Sequence, residues 1–538
     1  MNSEEIREKF LEFFEKNGHK IIPSSSLIPT DPSVLLTTAG MQQFKPYYLG
    51  EKSPYGDKVC SVQKCFRTSD IDEVGDERHL TFFEMLGNFS FNNACSKKEA
   101  IELAYEFITK EMELEIDYVS VFGGEGNLTA DKKSEEIWKQ VDSSLEVKKF
   151  GKEDNFWGPT GDEGPCGPTT EIYVNGIEIW NIVFNEYYKN KDGKYERLET
   201  LGVDTGMGLE RLAMVSQNKN NVFENDLFEP IMQAVSNNRI IADHLRGAVF
   251  LLADGITPSN LGRGYILRRL IRRVMAKGFG DKMENIADIV IENYGNFYPE
   301  LEQNKNNVFE EFKKEKEAFE KTLEKGMKEL QKMGQKISGE QAFLLFSTYG
   351  FPLELIKESV KEVDEASFQK EFEKHQELSR TASAGMFKSG LAGHSEQEIK
   401  YHTASHLLLA ALRKVLGESV SQKGSNITPE RLRLDFSWSE KLTDEQKTQV
   451  EKLVNEKIAE NLSVLREEMT LDEAKNSGAL GVFEHKYGEK VSVYSISDFS
   501  KEICGGPHVE NTCVLGKFKI IKEEAVSAGV RRIKAILE

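Results

Sequence analysis

The sequence predicts an α+β chain of three regions, 1–225, 226–380 and 381–538, and three observations predict it. Within Lys58–Phe91 a β-prone run (Val59 to Phe66), an acidic run broken by Gly75 (Thr68 to Arg78) and an apolar, aromatic run (Leu80 to Phe91) read as strand, loop, strand. From about 226 to 380 the pattern turns helical and includes a long stretch, Phe309 to Lys336, in which Lys and Glu interleave. After a small-residue stretch, Ser379 to Ser395, an apolar helix carrying two histidines is followed far downstream by the compact loop Cys504-Gly-Gly-Pro-His508.

Length and charge set the outer bounds. A chain of 538 residues has room for roughly three domains of ~100–200 residues each. Its net charge of −19 argues against indiscriminate nucleic-acid binding while leaving room for a local basic surface. No stretch of ~18 or more apolar residues occurs, and the N-terminus is an acidic amphipathic pattern rather than a secretory signal. Six cysteines in so long a chain do not make a disulfide framework, which fits a reducing, cytoplasmic setting.

In chain order, a helix is expected over Ser3 to Asn17, then turns from Pro23 to Ser33 and a first apolar strand from Val34 to Thr38. Arg67 then stands at the lip of the acidic loop. A guanidinium at the end of a rigid strand can grip a phosphate in a bidentate way, and equally it can be an ordinary solvated arginine. Trp157 lies in NFWGPTGDEGPCGP, whose glycines and prolines forbid a helix and predict a shaped loop. Trp180 to Phe184 reads as a short buried strand carrying one amide, Asn181. Val203-Asp-Thr-Gly-Met-Gly-Leu-Glu-Arg211 reads as a strand end and a glycine-bearing helix entry that puts Arg211 in the first turns; Asp204 or Thr205 can serve as a cap there.

The second region holds the basic surface. RGYILRRLIRRVMAK contains no acid and presents Arg263, Arg268, Arg269, Arg272, Arg273 and Lys277. Helical spacing pairs Arg268 with Arg272 and Arg269 with Arg273 on neighbouring strips, with Ile266, Leu267, Leu270, Ile271 and Val274 turned inward. Two readings stay open: phosphate contact, or a structural helix whose arginines pair with acids elsewhere. The interleaved run Phe309 to Lys336 reads as a solvated helical face. Asn260 ends the turn Thr257-Pro-Ser-Asn260, which on its own is turn chemistry.

The third region carries the most specific signal. His402 and His406 share one helical face at i, i+4, and Cys504 and His508 flank a loop whose Gly and Pro exclude a helix. Two such Cys/His motifs form a borderline-soft donor set suited to tetrahedral zinc.

Several segments then carry a family resemblance: LLLTTAGMQQFKPYYLG from Leu35, TFFEMLGNFSF, NFWGPTGDEGPCGPTTEIY, EIWNIVFNEYY and VDTGMGLERL, in that order, with YHTASH, SQKGSNITPERLRLDFS, CGGPH and FKIIKEEAVSAGVRRIKAI behind them. Nearly the whole chain resembles the alanyl-tRNA synthetase family. The resemblance implies a class II antiparallel sheet flanked by helices, then a helical acceptor-stem domain and an α+β editing domain with zinc. It implies Arg67 on the α-phosphate of ATP, Arg211 on the γ-phosphate or the adenine face, and Asp204 on the substrate ammonium. Met41, Met85, Trp157, Asn181, Val183 and Gly206 would line the alanine pocket. The acceptor stem of tRNA(Ala) would meet Asn260, Arg263, Arg268, Arg269, Arg272 and Arg273. Ser405 and Gln422 would serve editing, His402, His406, Cys504 and His508 would hold Zn2+, and Mg2+ would accompany ATP.

The chain also departs from the family pattern. Ser347 stands in Phe346-Ser-Thr-Tyr-Gly350 where an Asp is common, Ser405 stands where Thr is frequent, and the loop after Arg67 is short and lacks a Lys-His pair. A β-barrel module and the family's C-terminal domain are both expected to be missing, which points to a compact monomer. The competing expectations are an amino-acid-activating paralogue that charges no tRNA and an editing factor with an inactive synthetase half.

Overall fold

The computed structural model describes all residues except 31–33, 160–162, 261, 352, 375–394, 481–489 and 528. The end of the turn segment before Ser33, part of the Trp157 loop and nearly all of the Ser379–Ser395 stretch therefore lie outside the described residues. The chain forms two compact units, Met1–Val363 and Asp364–Glu538.

The first unit is organised on a nine-stranded sheet. Helix α1 (Ser3–Lys16) is fixed by a reciprocal cap between Asn2 and Glu5 and buries Ile6, Phe10, Phe13 and Phe14. Strands β1 (Lys20–Ile21), β2 (Lys58–Phe66), β3 (Phe82–Ser90), β4 (Tyr118–Phe122), β5 (Glu146–Phe150), β6 (Phe156–Trp157), β7 (Gly164–Val174), β8 (Ile177–Lys189) and β9 (Tyr195–Gly208) follow. Their order is β1-β2-β3-β9-β8-β7-β4-β5, with β6 pairing to β7. All neighbours are antiparallel except β1–β2 and β4–β5, so the centre is antiparallel and a parallel pair closes each edge.

Three local expectations are corrected. Val34 to Thr38 is irregular rather than a strand; its backbone bonds are isolated, Thr37 N–H to Leu27 O at 3.0 Å and Phe66 N–H to Thr37 O at 2.8 Å. The Gly/Pro-rich run does not stay a loop throughout, because Gly164 to Pro168 already belong to β7. The ladder accepts the prolines at the strand's beginning and across an irregularity between Cys166 and Thr169, where Gly167 is required: a Cβ there would meet Phe184 O at 1.8 Å. Nor is Trp180–Phe184 a short strand. It is the middle of thirteen-residue β8, which Asn175 (φ 52°) and Gly176 (φ 72°) join to β7 by a two-residue hairpin turn.

Helix α2 (Leu209–Ser216) follows β9 directly, and α3 (Arg239–Ala253), α4 (Gly262–Ala276), α5 (Met283–Tyr294), α6 (Lys305–Met333) and α7 (Gly339–Tyr349) come after it. One continuous apolar core runs from Ile6 through the sheet to Val308 and Phe312, so α3, α4 and α5 pack together with the sheet's own residues. A buried ionic network threads that core. Arg7 donates to both oxygens of Glu84 (2.9 and 2.6 Å), which also accepts from the Tyr298 hydroxyl (2.8 Å). Arg246 donates to Glu210 (2.8 Å) and to the Tyr294 hydroxyl (2.9 Å). The charged run appears as α6, whose inner face buries Val308, Phe312, Phe319 and Leu330.

In the second unit, α8 (Glu396–Leu416) opens with a Ser395/Glu398 capping box, six residues before its first histidine. It packs with a four-stranded sheet built of β10 (Gln422–Thr428), β11 (Arg431–Ser437), β15 (Phe518–Ser527) and β16 (Val530–Leu537), and with α9 (Asp444–Ala459). A second sheet comprises β12 (Val464–Thr470), β13 (Lys490–Ile496) and β14 (Ser500–Ile503). Among the described residues, no helix is long and apolar enough to cross a membrane.

Candidate active site and metal centre

Register builds the floor of a cavity of about 500 Å3 on one face of the central sheet. Asn181 and Val183 lie two apart on β8, and their partners on β9 are Gly206 and Asp204. Since alternate residues of a strand share a face, these four point the same way. Glu171 on β7 pairs with Asn181, and Met85 on β3 lies opposite Gly208. Gly206 keeps the floor open, for a Cβ there would meet Met85 Sδ at 2.9 Å.

Charge then gathers at the rim. Arg67 leaves the end of β2, its backbone N–H held by Thr81 O (2.8 Å) and its guanidinium 4.9 Å from the centre of the Phe83 ring. Arg211, in the first turn of α2, donates to Glu178 at 2.6 Å. Arg67, Asp204 and Arg211 all line this one cavity, together with Met85, Trp157, Asn181, Val183 and Gly206. Met41 does not line it. It is buried behind, in a small cluster with Phe44, Phe89 and Phe91 against which Met85 and Trp157 pack.

Burial raises the carboxyl of Asp204 to about 7, with no offsetting cation among the described residues. Glu171 is likewise raised to about 7 by burial and by Glu178 beside it. Its oxygens accept from Asn181 Nδ2 (2.9 Å), Tyr173 OH (2.7 Å) and Ser120 Oγ (3.1 Å). That bond fixes the Asn181 amide and leaves its Oδ1 buried without a partner. Together, a carboxylate and an amide oxygen with unfilled acceptor capacity make a receptor for an ammonium group. Sequence reasoning missed Glu171 and Glu178; the signal was a lone acid in the otherwise uncharged strand Thr169–Val174, and a second acid just beyond an Asn-Gly turn.

The arginines of the basic helix have partners within the protein. On α4, Arg268 and Arg272 reach the buried Glu315 of α6 (3.1 and 2.7 Å), and Arg268 also holds Asn260 Oδ1 (2.5 Å). Arg269 pairs with Asp72 (2.5 Å), Arg273 donates to Ile71 O (3.1 Å), and Arg263 donates to Leu35 O. Inward residues Leu267, Leu270, Ile271 and Val274 are buried and Ile266 is half-buried. Ser347 is exposed on α7.

In the second unit, α8 and the loop after β14 bring His402, His406, Cys504 and His508 together, with one candidate ligand atom from each lying within 4.8 Å of all the others. Among the described residues this is the group of donors that fits an ion. Every histidine has a second nitrogen aimed elsewhere: His402 Nδ1 at Pro507 O (3.1 Å), His508 Nδ1 at Thr403 Oγ1 (3.1 Å), and His406 Nε2 toward buried Glu502 (3.7 Å). Outer partners of this kind orient metal-binding imidazoles. Facing inward, His402 Nε2 stands 3.3 Å from Cys504 Sγ, while His406 Nδ1 and His508 Nε2 are buried without partners.

Burial holds His402 down to about 4, depresses His406 and His508 as well, and pushes the Cys504 thiol up to about 11. Neutral imidazoles with orphaned lone pairs around one sulfur are the donor set that zinc takes. Ser405 sits on the same helix with its hydroxyl bonded to His402 O (2.7 Å), and half-buried Gln422 begins β10.

The family of class II (A) tRNA synthetases matches residues 5–411, and the second additional domain of threonyl and alanyl tRNA synthetases matches residues 491–534. The chain is 43% identical to the alanine–tRNA ligase of Treponema pallidum, covering 100% of this chain and 98% of that protein. It is 45% identical to that of Borrelia hermsii (100% of both) and 46% identical to that of Treponema denticola (99% of both). With both matched segments and relatives similar over their full length in agreement, the chain belongs to the alanyl-tRNA synthetase family of class II enzymes.

Proposed function

We propose that the chain attaches alanine to tRNA(Ala) through alanyl-adenylate and hydrolyses mischarged seryl- or glycyl-tRNA(Ala) at its second unit. One observation carries the reading: Arg67, Asp204 and Arg211, far apart in sequence, line a single cavity. In the first step an oxygen of the alanine carboxylate attacks the α-phosphorus of ATP and pyrophosphate leaves. In the second, the terminal ribose hydroxyl of the tRNA takes the alanyl group and AMP leaves. Positioning and charge neutralisation do most of the work in such transfers. Asp204 and Asn181 Oδ1 orient the ammonium, Arg67 grips the α-phosphate, and Arg211 takes the γ-phosphate or the adenine face. Trp157, Val183 and Met85 close the pocket around the methyl group, with Met41 supporting them from behind.

Mg2+ bound with ATP supplies further neutralisation. Glu171 and Glu178 are among the cavity carboxylates that would hold it, and the repulsion by Glu178 that helps raise Glu171 is what a cation there would relieve. Zinc suits the four donors of the second unit and there supplies Lewis acidity or an anchor for the aminoacyl end. A second site is needed because one methyl or one hydroxyl is worth only about 1–3 kcal/mol in such a pocket. Ser405 and Gln422 are assigned to it, and the acceptor stem to the surface around Asn260, Arg263 and the α4 arginines. Residues 1–225, 226–380 and 381–538 would then divide charging, acceptor-stem reading and editing among them.

Alanine-dependent ATP–pyrophosphate exchange, followed by tRNA(Ala) charging and seryl-tRNA(Ala) deacylation, tests the proposal. Exchange without charging would leave the activating paralogue, and deacylation without exchange would leave the editing factor. A cytoplasmic monomer is the proposed state; a stable dimer in sedimentation at micromolar concentration contradicts it.

A further inference from the structure

We infer that Asp72, Arg269 and Arg273 are positioning residues for ATP: this part of the basic helix acts on the nucleotide through the loop after β2, before any RNA binds. The inference rests on the proposed adenylation at the cavity. The loop between β2 and β3 supplies Arg67, Asp70, Arg78, His79 and Leu80 to the cavity wall, so its conformation sets where phosphate-binding groups stand.

Two kinds of contact hold this loop. Apolar anchoring comes from Ile71, fully buried, and Val74, 5% exposed. Polar anchoring comes from three arginines of the helical segment. Arg239, at the start of α3, donates to Gly75 O (3.2 Å) and Asp76 O (2.9 Å). On α4, Arg269 Nη2 meets Asp72 Oδ1 at 2.5 Å, while Arg273 Nη1 donates to Ile71 O at 3.1 Å with Asp72 Oδ1 3.6 Å away.

Exposure shows the direction in which these arginines work. The side chains of Arg269 and Arg273 are only 20% and 16% exposed, while Asp72 is 63% exposed. In the protein without RNA, both guanidinium groups lie down on the loop. The other strip of the same helix, Arg268 and Arg272, is bound to Glu315 of α6. Helix α4 is thus a strut, with one strip fastened to α6 and the other to the 3-10 turn Ser69–Asp72. Asp70 of that turn faces the cavity, two residues from the anchored carboxylate.

The test is alanine-dependent ATP–pyrophosphate exchange by the full chain without tRNA. Asp72→Asn and Arg269→Ala are each expected to raise the KM for ATP about fivefold, the scale of a partly exposed ion pair, with the KM for alanine unchanged. The double variant should be no worse than either single one, and Asp72→Glu should restore the wild-type value. Amide hydrogen exchange over residues 69–74 gives a readout independent of activity, and it should speed up in Asp72→Asn. Wild-type ATP KM and unchanged loop protection in both single variants would overturn the inference, leaving these arginines to RNA. If the wild type itself shows no exchange activity, the proposed function fails while the protection measurement still decides the strut.

Discussion

The cavity of the first unit and the Cys/His centre of the second solve opposite electrostatic problems. Around the cavity the protein answers most of its own charges: Arg211 has Glu178, Arg67 lies beside the Phe83 ring, and the α4 arginines have Glu315 and Asp72. One buried acid, Asp204, is left unanswered and points into the space. The Cys/His centre answers almost nothing on its inner side, where nitrogens and a sulfur face one another. A site of the first kind is finished by folding and waits for a substrate. The second kind has a donor set that could hold a cation, so the two units should respond differently to the same perturbations.

Removing the charge proposed to grip the α-phosphate should give the largest effect. Arg67→Ala is expected to lower alanine-dependent exchange about 10³-fold, the upper range for losing one preorganised charge-stabilising group, with seryl-tRNA(Ala) deacylation intact. Equal loss of both activities would mean that the units are not separable. Next comes the metal centre: Cys504→Ser should weaken zinc binding about 100-fold in a chelator competition, abolish deacylation and leave exchange unchanged.

A third test uses pH. An ammonium pairs only with ionised Asp204, whose empty-site value is about 7, so the KM for alanine should rise about tenfold per unit as pH falls below 7 and level off above it. The stability sign is the reverse. A carboxyl raised from 3.8 binds its proton more tightly when folded, so folding loses stability as pH climbs from about 4 to 7. Asp204→Asn should therefore raise Tm by a few degrees at pH 8 and leave it unchanged at pH 4, while destroying alanine binding. The smallest effect is expected from Thr403→Val, which removes the oxygen beside His508 Nδ1 and should weaken zinc about tenfold, with the fold intact by circular dichroism.

Legibility in the sequence followed the range over which each constraint acts. His402 and His406 declare their shared face through helical spacing, and Cys504 and His508 through a five-residue loop, so the donor set could be read directly. Strand, loop and strand over Lys58–Phe91 could be read from local pattern as well. The cavity floor could not, because Asn181 meets Gly206 and Val183 meets Asp204 only through the register of β8 with β9. For the same reason Glu171 and Glu178 went unnoticed: a strand acid shows its importance only once the opposite strand is known. The α4 arginines look free in sequence because their partners, Asp72 and Glu315, lie well over a hundred and some forty residues away respectively. Val34 to Thr38 has strand composition but meets the end of β2 through a single backbone bond, Phe66 N–H to Thr37 O, and forms no ladder.

The bidentate grip of Arg7 on Glu84 has a practical meaning for anyone dissecting this molecule. The first helix is not a detachable leader. Trimming it strands an ionised group at the centre of the catalytic sheet, a loss of about 3–5 kcal/mol. Fragments designed to isolate the adenylating half should keep everything from Asn2 onward and carry purification handles at the other terminus.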